Sequence, residues 1–222
     1  MKVSEIFFSI QGEGPHAGVP TIFIRLQGCN LTCSYCDTDY AQSEVAGIDM
    51  SYSEVLDEVF RISHSLDFTP RICLTGGEPL LQNCFHLVKS LTSQSYNFAV
   101  DVETNGTYPV PVWYSMVSTW VVDYKLSSKN LVSNRIEEWI DLVSMDDLYI
   151  KFVIDQIDDL DNIYTIVDGL GIGMDFYNHV LISSVYGRSQ EGLARIAKYC
   201  IKNGFRMNYQ LHKLIWGDKR GV

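Results

Sequence analysis

Apolar residues recur along this chain in two alternating rhythms. Short runs rich in β-branched and aromatic residues, at 21–26, 71–75, 97–103, 119–124, 147–154, 179–184 and 205–210, read as strands. Between them lie stretches at 51–65, 80–94, 133–144, 155–168 and 190–203 whose apolar positions follow a helical stripe. In the first of these, Val55, Leu56, Val59, Phe60 and Ile62 share one face. Ser51 and Glu54 at its start have the spacing of a capping box, in which the serine accepts from a first-turn amide and the glutamate reaches back. Gly204 follows the last stretch as an expected carboxyl-end cap. Strand–helix alternation predicts an α/β fold of parallel strands joined by helical crossovers. The pattern fits either an open sheet or a partial barrel. No Gly-, Pro- or Ser-rich linker divides the 222 residues, which predicts a single domain over 1–222.

Charge and composition narrow the classes. A net charge of −10 argues against a nucleic-acid surface, which needs basic patches. No apolar run is long enough for a membrane span. Met1-Lys2-Val3-Ser4-Glu5 lacks the apolar core of a signal peptide, so a cytoplasmic protein with reduced thiols is expected.

Candidate chemistry concentrates after the first predicted strand. Cys29, Cys33 and Cys36 supply three thiols to one short loop. They suit an iron–sulfur cluster with one iron left open, or zinc completed by a fourth ligand, for which His16 is nearest in sequence. Cys73, Cys84 and Cys200 lie in apolar surroundings and read as small buried residues. Gly76-Gly77-Glu78-Pro79 permits close backbone approach to a ligand, but also fits an ordinary strand-to-helix turn, with Glu78 serving the helix start. Asp37 and Thr38 can shape their loop by local hydrogen bonds. Arg25 interrupts an apolar strand and shares a face with Phe23, so it requires a partner, either Glu13 or a bound anion. Lys125 at a strand end reads as solvated, and His212 as a core or surface histidine. The tail Trp216–Val222 carries a tryptophan and paired basic residues, which predicts that it packs instead of fraying.

The segment Gly28-Cys29-Asn30-Leu31-Thr32-Cys33-Ser34-Tyr35-Cys36-Asp37-Thr38 resembles the cluster loop of the radical S-adenosylmethionine superfamily, and Leu74–Leu80 resembles its Gly-Gly-Glu segment. The opening Ser9-Ile10-Gln11-Gly12-Glu13-Gly14, the closure Cys36-Asp37-Thr38, Glu103-Thr104-Asn105-Gly106-Thr107 and Gln210-Leu211-His212 are similar to the 7-carboxy-7-deazaguanine synthase family, from about Glu5 to Val222. That resemblance implies an incomplete β/α barrel and a lyase that converts 6-carboxy-5,6,7,8-tetrahydropterin to 7-carboxy-7-deazaguanine with loss of ammonia, in queuosine or another 7-deazapurine pathway. It implies a [4Fe–4S] cluster on Cys29, Cys33 and Cys36, and Mg²⁺ on Thr38. S-adenosylmethionine would meet Tyr35, Cys36, Asp37, Gly77, Glu78, Asp123, Lys125, Ser183 and Ser184. The pterin would meet Ile10, Gln11, Gly12, Glu13, Arg25, Thr75, His212 and the Val222 carboxylate. Asp123 and Tyr124 depart from the serine and proline common in relatives. A reductant such as flavodoxin and a homodimer are also implied. The alternatives are a glycyl-radical-enzyme activase, and a non-enzymatic zinc protein using His16.

Overall fold

A computed structural model of the chain describes residues 1–126 and 134–222. Its frame is one sheet with strand order β3-β1-β2-β4-β5-β6-β7-β8-β9. The strands are β1 Lys2–Ile10, β2 Pro20–Leu26, β3 Ile48–Asp49, β4 Arg71–Gly76, β5 Val100–Thr104, β6 Thr119–Tyr124, β7 Leu148–Ile154, β8 Val180–Ser184 and β9 Arg206–Asn208. From β2 onward every neighbouring pair in that order is parallel, while β1 runs antiparallel to β2 and to β3. The sheet does not close on itself, which makes it a partial barrel. The helices are α1 Tyr52–Ser63, α2 Phe85–Leu91, α3 Ile136–Leu142, α4 Leu160–Gly169, α5 Gln190–Asn203 and α6 Leu211–Trp216.

All seven expected strands form, as parallel members of this sheet. β7 shows why they are strands: Leu148, Ile150, Phe152 and Ile154 are fully buried, and the residues between them are half-buried on the other face. The buried face packs on the helices around Trp120, whose ring centroid lies 4.8 Å from that of Trp139. α1 begins with the expected capping box at Ser51 and Glu54. Gly204 ends α5 in the left-handed conformation at φ 73°.

Several boundaries differ from expectation. The helix expected at 80–94 is a 3₁₀ turn at Pro79–Leu81 followed by α2. Gln82 breaks it, because its amide nitrogen donates to the carbonyls of Lys2 (2.9 Å) and Gln27 (3.0 Å) and its amide oxygen accepts from Lys2 N (2.8 Å). Those tertiary bonds hold Gln82 extended. The strand expected from Asn97 starts at Val100, since Asn97 turns the chain at φ 51°. α3 starts at Ile136, and the first residue of its expected range, Ser133, lies outside the described residues. β1 and α6 were not among the expected elements.

Trp120 fills the largest part of the helix–sheet interface and its indole N–H donates to Tyr114 O at 3.1 Å. Trp120→Ala should cost about 3–5 kcal/mol, read from urea unfolding. Val112→Ala, at a 93% exposed position, should stay within about 0.5 kcal/mol.

Candidate active site

Side chains on the inner face of a parallel sheet point into the barrel, and the loops beyond the carboxyl ends of its strands crown it. Here that inner face is polar. Register sets Arg25 of β2 beside Thr75 of β4, and Asp123 of β6 beside Lys151 of β7. They line a cavity of about 730 Å³ together with Glu103, Ser183 and the loops that follow the strands.

Cys29, Cys33 and Cys36 all line this cavity and are half-buried. Burial raises the Cys29 thiol above its ordinary pKa, and its neighbours Glu78, Cys33 and Cys36 add to the rise, so the three sulfurs share one electrostatic environment. The arrangement fits a cluster, whose iron would displace the thiol protons. The loop is docked by backbone: Gly28 N donates to Ala41 O (2.8 Å), Cys29 N to Gln42 O (3.0 Å), and Glu78 N to Gly28 O (2.8 Å). Gly77 makes this docking possible, since a Cβ there would lie 2.0 Å from the Gly28 carbonyl oxygen. Its close approach is therefore to the cluster loop. His16 is not near the thiols. Its Nε2 lies 3.1 Å from Thr119 Oγ1, at the start of β6 and the opposite end of the barrel, which removes it as a fourth zinc ligand.

Glu78 departs from its expected cofactor role. It is fully buried behind the cavity wall, and its carboxylate accepts from Leu80 N (2.9 Å), Thr104 Oγ1 (2.8 Å) and Asn105 N (2.7 Å). It braces the loop after β5, whose Asn105 Nδ2 in turn lies 3.9 Å from Cys29 Sγ. The other residues expected at the cofactor line the cavity: Tyr35, Asp37, Gly77, Asp123, Lys125, Ser183 and Ser184. Lys125 is half-buried, not solvated; it pairs with Asp123 at 2.7 Å and lies 5.7 Å over the Tyr35 ring. Burial pushes the Tyr35 hydroxyl up to about 12, so it stays a neutral donor. Ser183 Oγ accepts from Asn208 (3.1 Å), and Ser184 Oγ accepts from Arg188 (2.8 Å). Asp123 Oδ1 is buried without a hydrogen-bond partner among the described residues.

The same cavity is lined by Ile10, Gln11, Gly12, Glu13, Arg25, Thr75, His212 and Val222. Arg25 does not pair with Glu13. Its Nε donates to Glu5 Oε1 at 2.8 Å and its Nη1 to Thr38 Oγ1 at 3.3 Å, while Nη2 has no partner among the described residues. Although burial opposes it, the surrounding Tyr40, Glu5, Asp37 and Glu103 hold its pKa above the ordinary arginine value. Glu13 pairs instead with Lys151, and both Lys151 Nζ and Asn208 Nδ2 donate to its Oε2. The backbone of Gln11 is used by its own loop, through Val19 O (2.8 Å) and Gly18 N (2.7 Å), and Gly12 O accepts from Leu211 N (2.9 Å). Gly12 is needed for contact with α6, because a Cβ there would meet His212 Nδ1 at 1.9 Å. Thr75 Oγ1 donates to Glu103 Oε2 at 2.8 Å. Thr38 Oγ1 donates to Asp37 Oδ1 at 3.0 Å, and ligand atoms of Glu13, Asp37 and His212 lie within 4.8 Å of one another.

Residues of this wall beyond those expected are Glu5, Tyr40, Glu103, Lys151 and Gln210, whose Nε2 donates to Asp37 at 2.6 Å. Lys151 carried the same signal as Arg25, a cation inside an apolar strand. The buried thiols Cys73, Cys84 and Cys200 are as expected. Burial holds Cys73 well above the ordinary thiol pKa and takes Cys84 to about 12. Gly77→Ala should push the cluster loop off β4. Reconstituted protein should then hold less iron at near-native circular dichroism, and wild-type iron content would contradict this docking role.

Residues 23–117 match the model of the radical SAM superfamily. The chain is similar to the 7-carboxy-7-deazaguanine synthase of Methanospirillum hungatei, 40% identical over 97% of this chain and 85% of that protein. It is 34% identical to the synthase of Leptospira interrogans, over 100% of this chain and 98% of that one. The crystal structure of QueE from Escherichia coli superposes with a TM-score of 0.73 over 95% of this chain and 94% of that chain, at 22% identity, which is a likeness of fold. With relatives this similar over its whole length, the chain belongs to the 7-carboxy-7-deazaguanine synthase family of radical S-adenosylmethionine enzymes.

Proposed function

We propose that this enzyme converts 6-carboxy-5,6,7,8-tetrahydropterin to 7-carboxy-7-deazaguanine, contracting the ring and releasing one ammonia. The observation that carries the reading is a single cavity lined by Cys29, Cys33 and Cys36 together with Arg25, Glu13, Thr75 and His212. Its volume of about 730 Å³ suits small-molecule binding. When bound, a [4Fe–4S] cluster with S-adenosylmethionine supplies a 5′-deoxyadenosyl radical, which takes hydrogen from carbon. The protein binds, orients and shields.

Its residues divide that work. Arg25 Nη2 is free to donate to the substrate carboxylate, while Glu5 and Thr38 fix the plane of the fork. Glu13 accepts from the amino-pyrimidinone edge, with Lys151 and Asn208 donating to Oε2 and fixing the carboxylate. Thr38, beside Asp37, is the oxygen ligand for Mg²⁺, which takes few protein ligands and keeps its waters. Asp123, Lys125 and Tyr35 form the wall for the nucleoside. A low-potential reductant such as flavodoxin supplies the electron, and the enzyme works as a cytoplasmic homodimer.

Anaerobic reconstituted protein, given S-adenosylmethionine, Mg²⁺, reductant and the carboxytetrahydropterin, should form carboxydeazaguanine by mass spectrometry. Cys33→Ala should abolish both product and 5′-deoxyadenosine. Steady 5′-deoxyadenosine without carboxydeazaguanine in the wild type would keep the radical chemistry and reject the substrate. Glu13→Gln should weaken pterin binding by about 1.5–3 kcal/mol, because a charge-assisted acceptor is lost. S-adenosylmethionine affinity, measured in parallel, should hold.

A further inference from the structure

Residues Gly217–Val222 lie along the cavity wall after α6. In this tail, Arg220 Cζ sits 3.6 Å from the ring centroid of Tyr40. Tyr40 belongs to the 3₁₀ turn Asp39–Ala41, directly after Thr38. Its hydroxyl donates to Glu5 Oε1 at 2.7 Å, the same oxygen that accepts from Arg25 Nε at 2.8 Å. Arg25 Cζ also lies 6.0 Å from the Tyr40 ring and 5.7 Å from Phe7. Burial takes the Tyr40 hydroxyl up to about 12, so it remains a donor to Glu5 across the working range. A continuous series of contacts therefore runs from Arg220 through Tyr40 and Glu5 to Arg25, and on to Thr38. Arg220 is itself exposed, and a cation over an aromatic face at such a site contributes about 0.5–1 kcal/mol.

We propose that Arg220 is a positioning residue: stacked on Tyr40, it seats the tail over the cavity and, through Glu5, fixes the Arg25 fork that receives the substrate carboxylate. The identity of that substrate rests on the reading above; the stacking does not. The position is not served by charge alone, because a guanidinium presents a flat face to the ring and an ammonium does not.

Two measurements test it. The first is hydrogen exchange of the amides in peptides covering 217–222, on the reconstituted full chain without substrate. Arg220→Gln and Tyr40→Leu should each speed exchange there about two- to fivefold, while Tyr40→Phe, which keeps the ring, should match the wild type. Equal exchange in all four proteins overturns the seating, whatever the substrate proves to be. The second is steady-state kinetics. Arg220→Gln should raise KM for the pterin about two- to fivefold, with kcat and the KM for S-adenosylmethionine unchanged. Arg220→Lys should recover part of that loss. Tyr40→Phe should raise the same KM although its tail stays protected, because the donor to Glu5 is gone. Arg220→Gln placed on Tyr40→Leu should add nothing. Additive losses, or an unchanged pterin KM in Arg220→Gln, overturn the coupling to Arg25. If the wild type leaves the pterin unconverted, the substrate assignment fails, and hydrogen exchange still decides whether Arg220 seats the tail.

Discussion

The loops after β2 and β4 meet in a close backbone contact, one side chain ties the loop after β5 to them, and the site depends on it. Gly77 N donates to Leu26 O at 3.0 Å and Glu78 N to Gly28 O at 2.8 Å, at a separation only glycine permits. The Glu78 carboxylate then crosses to Thr104 and Asn105. The cluster loop, the Gly-Gly-Glu turn and the loop after β5 become one rigid unit on the rim of the barrel. A cluster ligand loop needs such bracing, because a site misplaced by an ångström loses much of its rate. Burial raises the pKa of Glu78, and the three hydrogen bonds oppose that rise.

A second constraint is charge inside the barrel. Glu5, Glu13, Asp37, Glu103 and Asp123 face a cavity whose cations include Arg25, Lys125 and Lys151. Buried ions persist only when paired. Lys151 is held above the ordinary lysine value: burial opposes its charge, and Glu13, Asp123 and Glu103 outweigh it. The pairing sorts these charges, Lys125 with Asp123 and Arg25 with Glu5. Neutralised pairs leave single atoms, such as Arg25 Nη2, turned toward ligands.

The parallel strands were legible because each buries an apolar face, and the cluster loop because its cysteines stand close in sequence. β1 was not. It lies between β2 and the two-residue β3, Phe7 and Phe8 break its alternation, and most of its residues are only half-buried. α6 is too short to show a period. Gln82 ends a helix through bonds to residues 80 and 55 positions away, which no local pattern contains. Arg25 was visible as a charge in an apolar run, but its partner Glu5 depends on the register of β1 against β2. The role of Glu78 likewise emerged only when β5 came to lie beside β4.

The buried thiols have a consequence for how the cluster is assembled. Cys73 lies directly beneath the cavity floor, 3.6 Å from Gln11 Nε2, and Cys84 beneath the Gly-Gly-Glu turn. Burial keeps both protonated at neutral pH, and a protonated thiol is a poor partner for iron. During maturation the fold thus hides its spare sulfur. Iron entering the cavity would meet the three thiols that line it and neither Cys73 nor Cys84, so the number of sulfur ligands is limited by exclusion as much as by the spacing of the cysteines.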